Sequence, residues 1–366
     1  MTSSFSTTYF RTNSNQPFFC SNKMAVVSLL DPPLHFPRHR HRHVRPTPSI
    51  HRHVSPRMSL QTDPLTAITR LLWGRSLPPQ LLISTVRSAW SATWHLMMRQ
   101  LAPSDPSTGI YSRPTSPFRR RPPLKTLNLH LYVGLPCPWA HRTLIVRALK
   151  SLEPSLPVSV ASPGPDGAWE FLQSDDSDEL VPGPDRANGR RTLREVYRMR
   201  DGGYDGRSTV PMLWDVDQNE VVCNESYDII EILNSASDAG MDLSPEPLKA
   251  EIEKWNRIVY PNVNNGVYRC GFAQSQGAYD AAVAELFGTL DVLEERLGQS
   301  RYLCGDALTL ADVCLFTTLI RFDLVYNVLF KCTKKKLVEY RNLLGYTRDI
   351  YQDCDVHGKD RVDSLL

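Results

Sequence analysis

The feature that most constrains the fold is a change of hydrophobic period near residue 127. Leu127, Leu129, Leu131 and Val133 alternate with polar or aromatic residues, which predicts a strand with one buried face. A Gly-Leu-Pro turn follows, and Cys137 then precedes Pro138, a residue type favoured in the first turn of a helix. Residues 139–152 have helical spacing. The chain therefore places Cys137 where a strand ends and a helix begins, within a sheet that carries helices.

The segments that follow predict a small mixed sheet and then a helical domain. Apolar runs predict three strands and a helix, at residues 158–161, 210–214, 221–223 and 226–234. This β-α-β, then β-β-α order defines a domain over 125–236. Residues 246–352 show helical periodicity, and Thr309-Leu310-Ala311-Asp312 is an N-capping sequence. The predicted fold class is α/β plus all-α.

The first 62 residues differ in composition from the rest of the chain. They contain eight Lys and Arg residues and one acid, leaving 34 of the 42 basic and 38 of the 39 acidic residues in the remainder. An Arg- and Ser-rich, acid-poor start is typical of an organelle transit peptide. We predict a chloroplast presequence over 1–62, with the mitochondrion as the alternative. The remainder has no basic patch for nucleic acid, and no apolar run predicts a membrane span.

Two further segments flank the predicted domains. Residues 63–124 begin with an apolar stripe at helical spacing from Leu82 to Leu101, and continue as a Pro-rich stretch. We predict a lead-in helix followed by an irregular, extended connection. Residues 353–366 form a tail without apolar periodicity.

Cys137 is the candidate nucleophile among eight cysteines. No CxxC pair and no zinc-ligand spacing is present, so we predict no metal site. Backbone N–H groups at the start of a helix favour an anion, which predicts a lowered thiol pKa and a reactive thiolate. Because Ala140 stands where a second cysteine could resolve a mixed disulfide, an external thiol is needed. The alternative interpretation is a buried, inert cysteine.

Two other motifs complete a candidate site. Pro211 at the start of a strand predicts either a cis peptide, which would expose the Val210 backbone to an extended ligand, or an ordinary edge-strand proline. Glu225 and Ser226 at a helix start suit an ammonium and a carboxylate respectively, although ordinary capping is the alternative. Together with Cys137, these motifs predict a site for a small thiol peptide that carries both a carboxylate and an amine.

The motifs resemble those of cysteine-type glutathione transferases and, more narrowly, of the Xi-class glutathionyl-hydroquinone reductases. The resemblance covers about residues 64–352. It is carried by Cys137-Pro138-Trp139-Ala140, Thr209-Val210-Pro211, Asn224-Glu225-Ser226, the stretch from Tyr260 to Ala273, and Leu319-Ile320-Arg321-Phe322-Asp323.

The resemblance implies a thioredoxin-like domain followed by a glutathione-transferase-type helical bundle, and a homodimer formed through the bundle. It implies glutathione as co-substrate, bound by Trp169, Arg207, Val210, Glu225 and Ser226. It further implies that Cys137 attacks the glutathione sulfur of a glutathionyl-hydroquinone and that the Tyr268 hydroxyl helps to polarise the aromatic substrate. A second glutathione would then resolve the mixed disulfide.

The chain departs from the family pattern at two places. The family tail, which supplies a second tyrosine to the hydroquinone pocket, is replaced by the unrelated residues 353–366, and Leu329 stands where the family usually has His. Two alternative functions therefore stay open. One is a general glutathione thioltransferase, acting as a deglutathionylase or dehydroascorbate reductase. The other is an inactive isoform that binds glutathione or quinone without turnover.

Overall fold

The computed structural model describes residues 84–85, 87–88, 102–121, 127–164, 167–173, 179–236 and 240–352. The predicted presequence, most of the lead-in helix and the tail lie outside the described residues. The four described residues of the predicted lead-in helix, at 84–85 and 87–88, are helical. Within the described ranges, no helix has the length and apolarity that a membrane span needs.

The first domain is a mixed sheet with helices. Its elements are β1 (Leu129–Val133), α1 (Pro138–Leu149), β2 (Val158–Val160), β3 (Ser162–Pro163), β4 (Trp169–Glu170), α2 (Leu193–Arg198), β5 (Met212–Asp215), β6 (Glu220–Cys223) and α3 (Ser226–Ala236). The sheet order is β2-β1-β5-β6, in which only the β1–β2 pair is parallel, and β3 pairs with β4 in a separate ribbon. The predicted order of strands and helices is present. Each strand of the ribbon has only two residues, which is too few for a hydrophobic period to be visible in the sequence.

The prediction that β1 has one buried face is wrong, because all five of its residues are buried. Its second face carries His130 and Tyr132, and the Tyr132 hydroxyl donates to Asp185 at 2.8 Å. The Asp185 carboxylate also accepts backbone N–H groups of the loop that follows it, which holds this loop over the strand. Polar residues at alternate positions of a strand therefore do not indicate a solvent-exposed face when a covering loop supplies their hydrogen-bond partners.

The second domain is helical. Its elements are a 3₁₀ turn (Glu246–Leu248), α4 (Lys249–Val259), a π-helical turn (Tyr260–Asn264), α5 (Gly266–Phe272), α6 (Gln276–Leu297), α7 (Leu310–Leu319), a second π-helical turn (Phe322–Tyr326), α8 (Asn327–Leu329), a 3₁₀ turn (Leu337–Glu339) and α9 (Arg341–Gln352). All ten residues of α7 are buried, and this helix packs against both α1 and α3 of the first domain. The two domains therefore share one hydrophobic core.

Residues 102–121 have more structure than the predicted irregular connection. Ser104 pairs with Tyr111 across a short turn, and Arg119 pairs with Cys223 at the outer edge of β6. The proline content excludes a regular strand, yet single backbone pairs remain possible between prolines.

The predicted cap of α7 is confirmed and centres on the buried Asp312. Its carboxylate accepts the Thr309 N–H and hydroxyl, both at 2.9 Å. It also accepts the Leu303 N–H at 2.9 Å and the Tyr346 hydroxyl at 3.0 Å. One side chain thereby joins the helix start, the preceding loop and α9.

Replacing Asp312 with Ala removes the acceptor of four buried donors. We expect the free energy of unfolding to fall by about 3–5 kcal/mol, because each unsatisfied buried donor costs about 1–3 kcal/mol and some relaxation follows. Urea unfolding followed by circular dichroism measures this change. Asp306→Ala is the matched control, since exposed Asp306 has no hydrogen bond with any residue that the structure describes. Equal stability of the two variants would contradict the assigned role.

Candidate active site

Cys137 lies at the junction of the β1 turn and α1, as predicted. Its backbone is extended, with φ −82° and ψ 115°, so the residue caps the helix without being part of it. Its N–H donates to the Gly134 carbonyl at 3.0 Å, which fixes the turn. The Cys137 side chain makes no capping hydrogen bond, but the Trp139 and Ala140 N–H groups, which have no partner within the helix, favour the charged form of the sulfur. Cys137 is half-buried, whereas the alternative interpretation of the sequence was a buried cysteine.

The predicted lowering of the Cys137 pKa is wrong. Burial raises the pKa of the thiol above its ordinary value, because a thiolate loses hydration in the site. The Ala140 and Trp139 N–H groups and the guanidinium groups of Arg113 and Arg321 act in the opposite direction without overcoming burial. Helix position alone therefore did not determine how this thiol titrates.

The Val210–Pro211 peptide is cis, which confirms the first of the two interpretations. The edge-strand alternative is wrong, because Pro211 leads directly into β5, an interior strand between β1 and β6. The Cys137 thiol donates to the Val210 carbonyl oxygen at 3.5 Å. The candidate nucleophile and this backbone segment are thus in contact.

A polar cavity of about 210 Å³ is lined by Val210, whose carbonyl oxygen accepts the Cys137 thiol. Four of the predicted glutathione-binding residues line it: Arg207, Val210, Glu225 and Ser226. Trp139, two residues after Cys137, also lines it. The cavity therefore brings together residues that are up to 113 positions apart in the sequence, from Arg113 to Ser226.

Trp169 is the predicted binding residue that does not line this cavity. Its ring instead packs on Gly134, where an added Cβ atom would lie 2.3 Å from the ring. A side chain at position 134 would therefore displace the ring or the turn. Trp169 supports the turn that leads into Cys137.

The start of α3 is held by neighbours outside the helix. Ser116 donates to the Glu225 carboxylate at 3.2 Å, and buried Arg142 donates to the Ser226 hydroxyl at 3.3 Å. Arg119 pairs with Asp228 in the first turn. Among the described residues, no backbone N–H of α3 donates to the Glu225 or Ser226 side chain. Ordinary helix capping therefore does not account for these two residues, and both remain candidates for ligand contact.

A second, apolar cavity of about 700 Å³ adjoins the turn that holds Cys137. Pro136 and Pro138 line it, as do the aromatic side chains of Tyr268, Tyr326 and Phe330. Arg321 is the single charged side chain among its lining residues. Such a cavity suits a flat aromatic molecule with a small number of polar atoms.

Tyr268 is paired with a tyrosine that the sequence pattern did not single out. Its hydroxyl lies 3.3 Å from that of Tyr326, and its ring stacks on Trp139 with centroids 6.1 Å apart. Burial raises the pKa of Tyr268 well above its ordinary value and that of Tyr326 to about 12. Both hydroxyls are therefore protonated at neutral pH and able to donate a hydrogen bond.

Arg321 connects the helical domain to the turn before Cys137. Its guanidinium lies 3.0 Å from His141 Nδ1, and donates to the Thr317 and Leu135 carbonyl oxygens at 3.1 and 3.2 Å. The motif around Arg321 was noted in the sequence, but without a role. Arg321 and Leu135 are 186 positions apart, and a contact over such a distance produces no periodic pattern in the sequence from which it could be predicted.

The remaining sequence features have less effect on the site. In the described part of the chain, no three metal-binding side chains cluster. Leu329, at the position of the expected histidine, is 70% exposed and does not line the apolar cavity. Cys304 and Cys314 are buried.

Two family models match this chain. The glutathione S-transferase N-terminal domain matches residues 136–236 and the glutathione S-transferase C-terminal domain matches residues 276–349. The expected fold class, a thioredoxin-like domain followed by a helical bundle, is confirmed.

Individual relatives have more specific names. Glutathionyl-hydroquinone reductase YqjG of Escherichia coli is 50% identical over 230 residues, which are 61% of this chain and 68% of that protein. Glutathionyl-hydroquinone reductase PcpF of Sphingobium chlorophenolicum is 48% identical over 220 residues, 58% of this chain and 68% of that protein.

Solved structures agree with these matches. The glutathione-bound structure of YqjG has a TM-score of 0.60 at 46% identity, covering 65% of this chain and 77% of that one. The glutathione S-transferase Xi of Phanerochaete chrysosporium has a TM-score of 0.65 at 39% identity, covering 72% and 88% respectively.

The raised pKa of Cys137 predicts how its reactivity depends on pH. Below the pKa, the thiolate fraction increases about tenfold per pH unit. We therefore expect alkylation of Cys137 by iodoacetamide in the ligand-free protein to accelerate continuously from about pH 6.5 to about pH 8.5. Mass spectrometry of the Cys137 peptide separates it from the other cysteines, and a free cysteine peptide is the reference. If the alkylation rate already reached a plateau at a pH below 7, the thiol would be fully ionised there, and the raised pKa would be contradicted.

Proposed function

The chain belongs to the Xi-class glutathionyl-hydroquinone reductases of the glutathione transferase superfamily, and from this membership we propose that it reduces glutathionyl-hydroquinones to hydroquinones with glutathione as reductant. The observation that carries the proposal is that two unlike cavities are both lined by residues next to Cys137. Trp139 and Val210 line the polar cavity; Pro136 and Pro138 line the apolar cavity. A substrate with a peptide half and an aromatic half would place its connecting sulfur at the thiol.

Glutathione would occupy the polar cavity. The Val210 backbone would pair with the extended tripeptide, Arg207 and Ser226 would contact carboxylates, and Glu225 would contact the ammonium group. The cavity supports this assignment because these residues already line one space. Trp169 would act through the turn before Cys137 rather than by direct contact.

The first step would transfer glutathione to the enzyme. The Cys137 thiolate attacks the glutathione sulfur, and a sulfur–sulfur bond forms while the bond from that sulfur to the ring carbon breaks. The electron pair stays with the ring carbon, which takes a proton. A hydrogen bond from Tyr268, supported by Tyr326, would polarise a hydroquinone oxygen during this step.

The second step would restore the thiol. A second glutathione, as its thiolate, attacks the mixed disulfide, releases the Cys137 thiolate and leaves as oxidised glutathione. An external thiol is required because Ala140 occupies the position where a resolving cysteine would stand. Among the described cysteines, Cys137 is the one that is not buried.

The raised pKa of Cys137 is compatible with this mechanism. A raised pKa lowers the thiolate fraction at neutral pH, but the nucleophilicity of a thiolate increases with its pKa. The two effects partly offset each other. The guanidinium groups of Arg113 and Arg321 further favour the charged form.

The apolar cavity separates the leading proposal from the alternatives. Dehydroascorbate is small and polar, and would leave aromatic and proline surfaces in water. A deglutathionylase acting on proteins would not need an aromatic pocket.

Turnover of glutathionylated menadiol should therefore exceed turnover of dehydroascorbate and of hydroxyethyl disulfide. Comparable turnover of all three substrates would favour the general thioltransferase.

Two further proposals concern the context of the enzyme. The Ser- and Arg-rich first 62 residues support a chloroplast location, with the mitochondrion as alternative. The family resemblance supports a homodimer formed through the helical domain. Import of a fusion to residues 1–62 and sedimentation of the purified protein test these two proposals.

Replacing Cys137 with Ser removes the nucleophile but keeps the size of the side chain. We expect turnover of glutathionylated menadiol to fall below detection, while glutathione still binds with a dissociation constant within about threefold of the wild type. Cys304→Ala, a buried thiol in the helical domain, is the matched control and should keep its activity. Wild-type protein stopped during turnover should carry one glutathione on Cys137. Retained turnover in the Cys137 variant would exclude the mechanism.

Replacing Tyr268 with Phe removes a hydroxyl and leaves the ring stack with Trp139. We expect kcat for glutathionylated menadiol to fall on the order of 10- to 100-fold, the loss that follows removal of a hydrogen bond made in the transition state. Glutathione affinity should not change. Tyr279→Phe, whose hydroxyl donates to the Lys331 carbonyl oxygen, is the control. A change confined to KM would mean that Tyr268 only binds the substrate.

A further inference from the structure

Residues 102–121, called the strap below, join the two domains across the polar cavity. The first half of the strap is held by the loop between α5 and α6. The Gln274 side chain donates to Ser104 Oγ at 3.0 Å, and the Gln274 N–H donates to the Gly109 carbonyl at 3.0 Å. Ser275 adds a hydrogen bond at 2.6 Å to the same turn.

The second half of the strap is held by the sheet domain. The Phe118 carbonyl accepts the Asn224 N–H at 3.1 Å, and the Arg120 N–H donates to the Val222 carbonyl at 3.1 Å. Arg119 adds an ion pair with Asp228. Because both ends are tied to different domains, the intervening residues 113–117 are held in place.

These intervening residues form a wall of the polar cavity. All five of them line it, and Ser116 holds the Glu225 carboxylate. The match to the transferase N-terminal domain begins at residue 136, so this wall comes from outside the matched region. The strap therefore completes a cavity that the thioredoxin-like domain leaves open.

Arg113 is the charged residue in this wall. Its guanidinium carbon lies 4.1 Å from the centroid of the Trp139 ring, and the side chain is half-buried. It makes no ion pair or hydrogen bond with any residue of the described ranges, unlike Arg119 and Arg121, which both pair with Asp228. The stack on Trp139 orients the guanidinium and leaves its N–H donors available.

The charges of the cavity complement those of glutathione. Its charged lining residues are two cations, Arg113 and Arg207, and one anion, Glu225. Glutathione carries two carboxylates and one ammonium group at neutral pH. Without Arg113, the lining would offer one guanidinium for two carboxylates.

We propose that Arg113 is a further glutathione-binding residue, whose guanidinium pairs with one carboxylate of the tripeptide while the strap closes the site. This inference rests on the proposed function, since it assumes that glutathione occupies the polar cavity. It extends the binding site to a segment that precedes the thioredoxin-like domain.

The position of Arg113 also affects the nucleophile. Its charge lowers the pKa of Cys137 and thereby opposes the effect of burial. A bound carboxylate would neutralise part of this charge. Binding of glutathione and titration of the thiol are therefore coupled through Arg113.

The test compares Arg113→Gln with Arg120→Gln. Arg120 lies in the same strap, is exposed and makes no side-chain ion pair with a described residue, so it is the matched control. Calorimetry under reducing conditions measures the dissociation constants of glutathione, of its glycyl ethyl ester and of γ-aminobutyryl-cysteinyl-glycine. Each analogue lacks one of the two carboxylates.

We expect Arg113→Gln to weaken glutathione binding on the order of tenfold, as for the loss of a charge-assisted hydrogen bond, and Arg120→Gln to change it by less than about twofold. The penalty of Arg113→Gln should disappear for the one analogue that lacks the paired carboxylate. Arg113→Lys, which keeps the charge, should restore most of the affinity.

Unchanged glutathione binding by Arg113→Gln, or an equal loss for all three ligands, would overturn the assignment. The second result would mean that Arg113 acts only by holding the strap. Failure of the proposed function gives a different result: the wild-type protein itself would neither bind glutathione nor turn over glutathionylated menadiol.

Discussion

The geometry of the site depends on a buried guanidinium that joins the two domains. Arg321 belongs to the helical domain, yet it donates to the Leu135 carbonyl in the turn just before Cys137. Among the described residues, its hydrogen-bond partners are His141 and two backbone carbonyl oxygens, and none of them is a carboxylate. A carboxylate there would attract the guanidinium away from the thiol and the aromatic cavity. The domain contact and the electrostatics of the site are therefore properties of one side chain.

The thiol illustrates a competition whose outcome a motif cannot decide. Helix N–H groups and two guanidinium groups favour the thiolate, whereas loss of water disfavours it, and burial is the larger effect on the Cys137 pKa. Desolvation depends on how closely the surrounding elements approach, and these elements include Val210 and the tyrosine pair. Reactivity in such a site is set by the whole cavity, and a ligand that changes the cavity changes the thiol.

Local signals in the sequence predicted much of the fold and part of the site. The strand–turn–helix around Cys137 and the cap at Asp312 are encoded within a few residues, and the structure contains both. Tyr326 and Arg113 were not identified, because each reaches the site through contacts with residues far along the chain. The buried second face of β1 was missed for the same reason, since Asp185 supplies the partner of Tyr132.

Gly134 and Trp169 have a consequence for how the family can diverge. The indole ring occupies the space that a Cβ atom at position 134 would need, so any side chain there displaces the ring or the turn. A smaller residue at position 169 would relax that restriction but leave a void beside the turn that precedes Cys137. Substitutions at the two positions are therefore tolerated only as a pair, and homologous sequences should show them covarying.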